Sequence, residues 1–189
     1  MAQTARLESI RERFDISLIR PPFRLEEVHL RRGEMSRDRL TAIRKALRTF
    51  HSFETLAGAT YRFQMSAKRD EPDRVRIAAM CNEMTHLQDF QVKLYEFGWR
   101  PSKIRWFFWL AAMTIGTATR LMGTRAILRS GIWLETRAVD HYNELLETVE
   151  WDDDTRAIVE KNCADEIGHV ERWSAMLKEY DSGGLRAAS

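Results

Sequence analysis

Cysteine and proline are scarce in this chain, which has two cysteines and four prolines in 189 residues. Cys81 and Cys163 do not have the spacing of a zinc site, so they are predicted to be reduced, small core residues in a reducing compartment. The N-terminus lacks the apolar stretch of a secretory signal, and no such signal is predicted. A net charge of +2 is too small to indicate a nucleic acid partner.

Strand-like alternation is also missing, and apolar residues recur instead at spacings of three and four, which is typical of α-helices. Ser36 is a suitable N-cap, Gly98 a suitable helix end, and the acidic residues 150–154 suit the start of a last helix. Long helices are predicted over residues 37–68, 73–97, 124–149 and 153–180. The sequence therefore predicts an all-α fold, with an N-terminal arm over 1–35, a helical bundle over 36–181 and a loose tail over 182–189.

The most apolar segment, residues 103–123, lies between the second and third of these helices. Fourteen uncharged residues separate Arg105 from Arg120, and a helix that crosses a bilayer needs about 20. The segment is therefore predicted to be a crossover helix that lies in a membrane interface over residues 104–122, with its aromatic face in the lipid. Burial of this segment against the bundle or in a dimer interface is the alternative.

Two Glu-x-x-His pairs are the most informative motif of the chain. Glu83 and His86 follow a single Glu54, and Glu166 and His169 follow a single Glu135. Glu83 comes 29 positions after Glu54, and Glu166 comes 31 positions after Glu135. On a helix, positions i and i+3 share a face, so each pair can bind one metal ion. Two single glutamates and two such pairs are the ligand set of a di-iron or di-manganese site in a four-helix bundle.

The order of the motifs predicts a role for each ligand. Glu54 and Glu135 are expected to be terminal carboxylates, Glu83 and Glu166 bridging carboxylates, and the two histidines terminal nitrogen ligands. Iron and manganese both accept such ligands, so the metal stays open. A third Glu-x-x-His motif, Glu26 to His29, follows a Pro-Pro pair and has no matching upstream glutamate, so it is interpreted as chance.

Further polar residues lie on the same helix faces. Tyr61 is seven residues after Glu54, and Tyr142 is seven residues after Glu135, so each tyrosine lies two turns along the face of its glutamate. His51 and His141 lie within two turns of the same glutamates. These four residues could relay protons or electrons or orient a ligand, or they could be ordinary core residues. Asp140 and Asp165 are candidates for holding ligand imidazoles.

Several local patterns carry a resemblance to a known family, the demethoxyubiquinone hydroxylases of ubiquinone biosynthesis. The resemblance spans residues 45–177. It consists of a His51-x-x-Glu54 pattern with Tyr61 and Gln64, the two Glu-x-x-His pairs, Arg100-Pro101-Ser102, Gly116-Thr117-Ala118, Gly123, Glu135 with His141-Tyr142-Asn143, and Asp165 before Glu166. Phe53 and Thr55 depart from the Gly and Tyr that the family favours there.

The resemblance implies a ferritin-like di-iron monooxygenase that hydroxylates the ring of a polyprenylated quinone precursor, demethoxyubiquinone. It implies dioxygen as co-substrate, electrons from NADH, and a peripheral position at the cytoplasmic face of the inner (plasma) membrane. In this family the pair that corresponds to His141 and Tyr142 is connected with reductive activation, and these two residues and Tyr61 are the candidate catalytic residues. A homo-oligomer and a quinone-biosynthesis complex both stay open.

Two other functions compete with this hypothesis. A ferritin-like centre could oxidise iron, scavenge peroxide or hydroxylate another lipophile, although such proteins rarely need an aromatic crossover. A non-enzymatic scaffold of a biosynthetic complex would keep the six residues without holding iron. The exact substrate, its tail length and the electron donor are not determined by the sequence.

Overall fold

A computed structural model describes residues 24–31, 35–65 and 71–183. The chain divides into two compact units, Met1–Leu30 and Arg31–Ser189. In the described part of the first unit, Leu25–Glu27 form one turn of 3-10 helix. Most of the predicted arm, the end of the first predicted helix and nearly all of the predicted tail lie outside the described residues.

The second unit contains five α-helices and no strand among its described residues, which confirms the predicted all-α class. They are α1 (Arg37–Gln64), α2 (Glu71–Glu96), α3 (Arg105–Met122), α4 (Thr124–Thr148) and α5 (Asp153–Asp181). The predicted ends agree with these bounds to within two residues, except at the end of α1, which the structure places at Gln64 and not at residue 68.

Local chemistry explains where the helices begin and end. The Ser36 side chain accepts a hydrogen bond from the Arg39 backbone N–H at the start of α1, and Asp152 does the same for Thr155 at the start of α5. Both satisfy backbone donors that have no partner inside the helix. Gly98, with φ of 71°, ends α2 in a left-handed conformation that favours glycine.

Four of the helices form two antiparallel pairs. α1 packs along α2 and α4 packs along α5, with further contacts between α1 and α4 and between α2 and α5. One core cluster includes Phe50, Phe90, Tyr142 and Val159, and a second includes Tyr61, Ala79, Leu128 and Trp173. The two clusters lie towards opposite ends of the four helices, and the predicted ligands fall between them along each helix.

The fifth helix, α3, packs against α1 and α4. A Cβ added to Gly116 would lie 2.6 Å from the Phe63 Cβ and 2.7 Å from the Thr60 carbonyl oxygen, so only glycine permits this approach to α1. Ala112 joins Leu56 and Leu134 in a small core cluster beneath α3. No helix in the described part of the chain is both long and apolar enough to cross a membrane.

The aromatic residues of α3 do not all share one environment. Trp106 and Phe107 are 59% and 64% exposed. Phe108 is half-buried and contacts the ring of Phe53, and Trp109 contacts Phe63. The inward-facing residues therefore attach α3 to α1, and only part of the aromatic face is free for another partner.

Candidate metal centre

The six predicted ligands come together in the middle of the bundle. One glutamate comes from each of the four helices, and the two histidines come from α2 and α5. All six are at least 97% buried: Glu54, Glu83, His86, Glu135, Glu166 and His169. Ionised carboxylates are costly to bury unless a partner compensates their charge, so this arrangement requires cations or protons.

The cluster contains two overlapping groups of four side chains. One group is Glu54, Glu83, His86 and Glu166, and in it one ligand atom from each residue lies within 4.8 Å of all the others. The second group replaces Glu54 and His86 with Glu135 and His169, at the same limit. Glu83 and Glu166 belong to both groups, which is the arrangement required of carboxylates that bridge two ions.

Each histidine points the same ring nitrogen at the carboxylates. The His86 Nδ1 atom lies 3.0 Å from a Glu166 oxygen and 3.7 Å from a Glu83 oxygen. The His169 Nδ1 atom lies 3.2 Å from a Glu83 oxygen and 3.5 Å from a Glu166 oxygen. The two imidazole rings are 6.3 Å apart between centroids. The inner nitrogens therefore face a shared space bounded by the carboxylates of Glu83 and Glu166.

Hydrogen bonding leaves these inner atoms unsatisfied. Both carboxylate oxygens of Glu83 and of Glu166, and the Nδ1 atoms of His86 and His169, are buried and form no hydrogen bond with the described residues. Buried polar atoms without a partner are rare in proteins and require an explanation. Two divalent cations would supply partners for all of them and would neutralise four carboxylates, so the cluster is consistent with a di-iron site.

Without metal, the same side chains perturb one another strongly. Burial raises the pKa of Glu135 to about 7. Burial opposes the charge of His169, but the nearby carboxylates of Glu135, Glu166 and Glu83 outweigh it and raise the pKa of that imidazole to about 12. Burial and the Glu166 charge raise the pKa of Glu83 well above its ordinary value. Metal-free protein thus retains protons that metal binding would displace.

Tyr61 and Tyr142 each contact a glutamate of the opposite helix. The Tyr142 hydroxyl donates a hydrogen bond of 2.6 Å to Glu54, and the Tyr61 hydroxyl donates to Glu135. Sequence spacing places each tyrosine on the face of its own glutamate, whereas the contact crosses between α1 and α4. Burial and the neighbouring carboxylates raise the pKa of both phenols well above 10, so both are neutral donors.

The outer nitrogens of the two histidines have different partners. The His86 Nε2 atom lies 3.3 Å from an Asp165 carboxylate oxygen, as the sequence indicated. The His169 Nε2 atom lies 3.1 Å from the Asn82 amide. Asp140, the other candidate, is exposed on α4. Sequence reasoning missed Asn82, although it precedes Glu83 as Asp165 precedes Glu166.

His141 and His51 lie outside the two groups of four. The His141 ring packs 5.3 Å from Phe53, and its Nδ1 atom lies 3.6 Å from Glu144. The His51 Nε2 atom lies 3.4 Å from the side-chain oxygen of Gln91. These contacts of the two histidines are with an aromatic ring, an exposed carboxylate and a side-chain amide.

One prediction about the cysteines is wrong. Cys163 is buried, as expected, but Cys81 is exposed. Cys81 lies on the outer face of α2, because Ala79 and Glu83 of the same helix face the core. The third Glu-x-x-His motif contributes to neither group of four among the described residues.

A small enclosed cavity of about 10 Å³ lies beside the cluster. Carboxylates of Glu54, Glu83, Glu135 and Glu166 line it on one side, and Phe53, Leu56, Ala57, Leu134 and Ala138 line the other. Its apolar wall includes Leu56 and Leu134, which also pack against Ala112 of α3. This cavity, which has room for about one water molecule, therefore lies between the carboxylates and apolar residues that α3 covers.

Four helices around a buried set of carboxylates and imidazoles define the class of helical-bundle carboxylate proteins. Residues 41–179 match the sequence profile of the family described as ubiquinone biosynthesis protein COQ7. The chain belongs to this family, which confirms the resemblance seen in its motifs. Family membership makes it a hydroxylating oxidoreductase of ubiquinone biosynthesis.

Curated relatives agree with the family match. A protein of Pseudomonas aeruginosa (strain LESB58) is 29% identical over 156 residues, which cover 82% of this chain and 70% of the relative. One from Cupriavidus necator is 34% identical over 140 residues, which cover 72% of this chain and 67% of the relative. One from Polaromonas sp. (strain JS666) is 30% identical over 142 residues, which cover 74% of this chain and 68% of the relative. All three are named 3-demethoxyubiquinol 3-hydroxylase.

Proposed function

We propose that this chain is a ferritin-like di-iron monooxygenase that hydroxylates the ring of demethoxyubiquinol, or its quinone, at a membrane surface. The observation that carries the proposal is the pair of overlapping ligand groups that share Glu83 and Glu166. The names of the relatives support the substrate, since each is a 3-demethoxyubiquinol 3-hydroxylase. NADH is the proposed source of the electrons.

Glu54 and His86 would hold one ion, Glu135 and His169 the other, and Glu83 and Glu166 would bridge them. Two bound iron ions would activate dioxygen, which would supply the oxygen atom that enters the ring, while its other atom leaves as water with the electrons from NADH. Manganese fits the same donor set, so iron is favoured by the proposed reaction and not by the ligands alone.

Tyr61 and Tyr142 are proposed to position the terminal carboxylates. A buried neutral phenol that donates to one carboxylate oxygen leaves the other oxygen to face the ion, and such outer contacts tune metal affinity. His141, whose ring lies against Phe53 and is partly exposed, is proposed to relay protons between the site and solvent. The apolar cavity wall excludes water from the carboxylates, which strengthens electrostatic interactions inside the site.

The substrate ring is proposed to reach the carboxylates through the apolar cavity beneath α3. Leu56 and Leu134 line the cavity and also contact Ala112, so a small displacement of α3 would enlarge it. A polyprenyl tail would then lie along α3, where Trp106 and Phe107 are exposed. The exposed aromatic residues support a peripheral position in a membrane interface. The cytoplasmic face of the inner (plasma) membrane is the proposed side.

The decisive experiment is quinone mass spectrometry in a bacterium that lacks its own demethoxyubiquinone hydroxylase. Cells that express this chain should regain ubiquinone, and cells that express Glu135→Ala should accumulate demethoxyubiquinone. Glu147→Ala is the matched control, since Glu147 is an exposed glutamate on the same helix. Cells that express Glu147→Ala should regain ubiquinone, as cells that express the wild type do.

The contrary result also distinguishes the competing functions. Demethoxyubiquinone that persists beside folded, iron-loaded wild-type protein would contradict the proposed substrate and favour an iron oxidase or a hydroxylase of another lipophile. Purified protein that holds no iron under any loading condition would favour a scaffold.

A further inference from the structure

Six basic side chains surround two adjoining open cavities at the junction of α1, α2 and α3. The larger cavity, of about 1160 Å³, lies among the residues that connect α2 to α3, and the smaller, of about 290 Å³, lies along α1. Arg48, Ser102 and Ile104 line both of them. We call this region the basic cleft, defined by Arg44, Lys45, Arg48, Arg100, Lys103 and Arg105.

No carboxylate lines either cavity, and none of the six basic side chains forms an ion pair with a described acidic residue. Some basic residues elsewhere in the bundle are paired instead. Lys93 is buried against Glu96 at 2.7 Å and Asp154 at 2.9 Å, and Arg31 contacts Asp152 at 3.1 Å. Six basic side chains without an acidic partner thus lie next to one another at the cleft, although the whole chain carries a net charge of only +2.

The cleft is partly organised by the backbone. The Arg48 Nε atom donates a hydrogen bond of 3.0 Å to the carbonyl oxygen of Arg100, which joins α1 to the α2–α3 connection. This bond fixes one guanidinium where the two cavities meet. A guanidinium has five N–H donors, so Arg48 retains others beyond that bond. Guanidinium groups bind phosphate oxygens with two parallel hydrogen bonds.

An exposed apolar surface begins directly beside the cleft. Ile104 lines both cavities and is 62% exposed, and Trp106 and Phe107 follow it at the start of α3. A soluble polyanion would meet the charges but would leave these apolar side chains in water. A membrane lipid supplies both a phosphate for the cations and acyl chains for the aromatic residues.

We propose that the basic cleft binds the phosphate headgroup of anionic membrane lipids and thereby holds α3 in the interface. This inference refines the proposed membrane function, on which it depends, by assigning the site and the lipid class. Each arginine or lysine near an anionic membrane strengthens partitioning by about fivefold at moderate ionic strength. Binding should therefore require anionic lipid and should weaken steeply as salt is added.

Vesicle co-sedimentation of the full-length protein tests the proposal. Vesicles of phosphatidylcholine alone are compared with vesicles in which about a third of the lipid is phosphatidylglycerol. The wild type should bind the anionic vesicles at least about tenfold more tightly. Lys103→Gln/Arg105→Gln should lower that affinity by roughly 30-fold, which is two charges at about fivefold each.

The matched control removes two charges from another surface. Arg172→Gln/Lys178→Gln changes two exposed basic residues of α5 and should lower the affinity less than about threefold. If the two double variants lose the same amount of vesicle affinity, the proposal of a defined headgroup site is wrong. Only a general attraction between the basic protein and the anionic membrane would then remain. Equal binding of the wild type to neutral and anionic vesicles would overturn the lipid class.

Competition with soluble anions tests whether the basic cleft binds a lipid headgroup or a free phosphate. Inorganic phosphate or single-stranded DNA at the ionic strength of the assay should not displace the protein from anionic vesicles. Displacement by either at micromolar concentration would show a site for free anions and would overturn the lipid assignment. Trp106 fluorescence should shift to the blue on vesicle binding in the wild type, and a Trp106→Leu variant should identify that signal.

Different experiments test the headgroup site and the proposed reaction, so failure of one can be distinguished from failure of the other. The vesicle assay contains no quinone and reports no turnover, whereas ubiquinone recovery in cells reports the reaction. Restored ubiquinone with equal binding to both vesicle types would overturn the headgroup site alone. Selective anionic binding without restored ubiquinone would overturn the proposed reaction alone.

Discussion

The hydroxyl of Tyr142 on α4 donates a hydrogen bond of 2.6 Å to the carboxylate of Glu54 on α1. The hydroxyl of Tyr61 on α1 likewise donates a hydrogen bond to the carboxylate of Glu135 on α4. The two halves of the bundle therefore support each other's terminal carboxylate. This exchange explains why a tyrosine occurs seven residues after each glutamate, although neither tyrosine contacts the glutamate of its own helix.

Loss of the Tyr142 hydroxyl should weaken metal binding without unfolding the bundle. In Tyr142→Phe, Glu54 loses its hydrogen-bond donor while the ring keeps its stacking on Phe50. Loss of such a contact typically lowers metal affinity by about 10- to 100-fold. Competition with a chelator measures the change, and Tyr95→Phe, at an exposed tyrosine, is the control. Equal affinity in the two variants would contradict a positioning role.

Metal removal should destabilise the protein more as pH rises. The pKa of Glu135 without metal is about 7, against an ordinary value of 4.5. An acid whose pKa is raised by folding stabilises the fold while it is protonated, and that contribution is lost as pH rises from 4.5 to 7. His169, with its pKa raised to about 12, loses its contribution in the same direction above its ordinary value of 6.5.

The measurement is the melting temperature of chelated and iron-loaded protein at about pH 5 and about pH 7.5. The difference between the two forms should be small at the lower pH and should grow by roughly 5 °C or more at the higher pH. A difference that is the same at both values, or that shrinks as pH rises, would show that these carboxylates do not bind the metal.

The unequal partners of the two histidines should make the two metal positions unequal. A carboxylate that accepts the outer proton makes an imidazole a stronger donor than a neutral amide does. We therefore expect the position of His86, supported by Asp165, to bind iron more tightly than the position of His169, supported by Asn82. Stepwise titration with a competing chelator should resolve two affinities.

Exchange of the two partners provides the control for this prediction. Asp165→Asn should weaken the tighter step by about 10-fold or more and bring the two affinities together. The double variant Asn82→Asp/Asp165→Asn should restore two separate steps with the order of the positions reversed. Two-step curves that do not change in either variant would assign the asymmetry to another cause.

Gly116 should be essential for the attachment of α3. In Gly116→Ala the new Cβ meets the Thr60 carbonyl oxygen and the Phe63 side chain, so α3 must move away from α1. Overpacking of this kind costs about 1–3 kcal/mol, which a urea titration measures. Gly168→Ala, on α5, is the matched control, since its Cβ would meet nothing within 4 Å, and it should be neutral or stabilising. Equal stability of the two variants would contradict the close contact.

Sequence spacing alone predicted much of this protein. Residues at i and i+3 on a helix must share a face, so the pairs Glu83–His86 and Glu166–His169 could be assigned without a structure. Capping chemistry predicted the start of α1 at Ser36, and the acidic residues 150–154 indicated the start of α5. Such properties depend only on residues within a turn or two of each other on the same helix, so the local sequence determines them.

Contacts between helices depended on the tertiary structure. The relative rotation of α1 and α4 determines that Tyr142 reaches Glu54, and the rotation of α2 determines that Asn82 faces His169 while Cys81 lies at the surface. The basic cleft arises because Arg48 of α1 lies beside residues more than 50 positions later. Periodicity predicts which residues share a helix face, but only packing decides what each face meets.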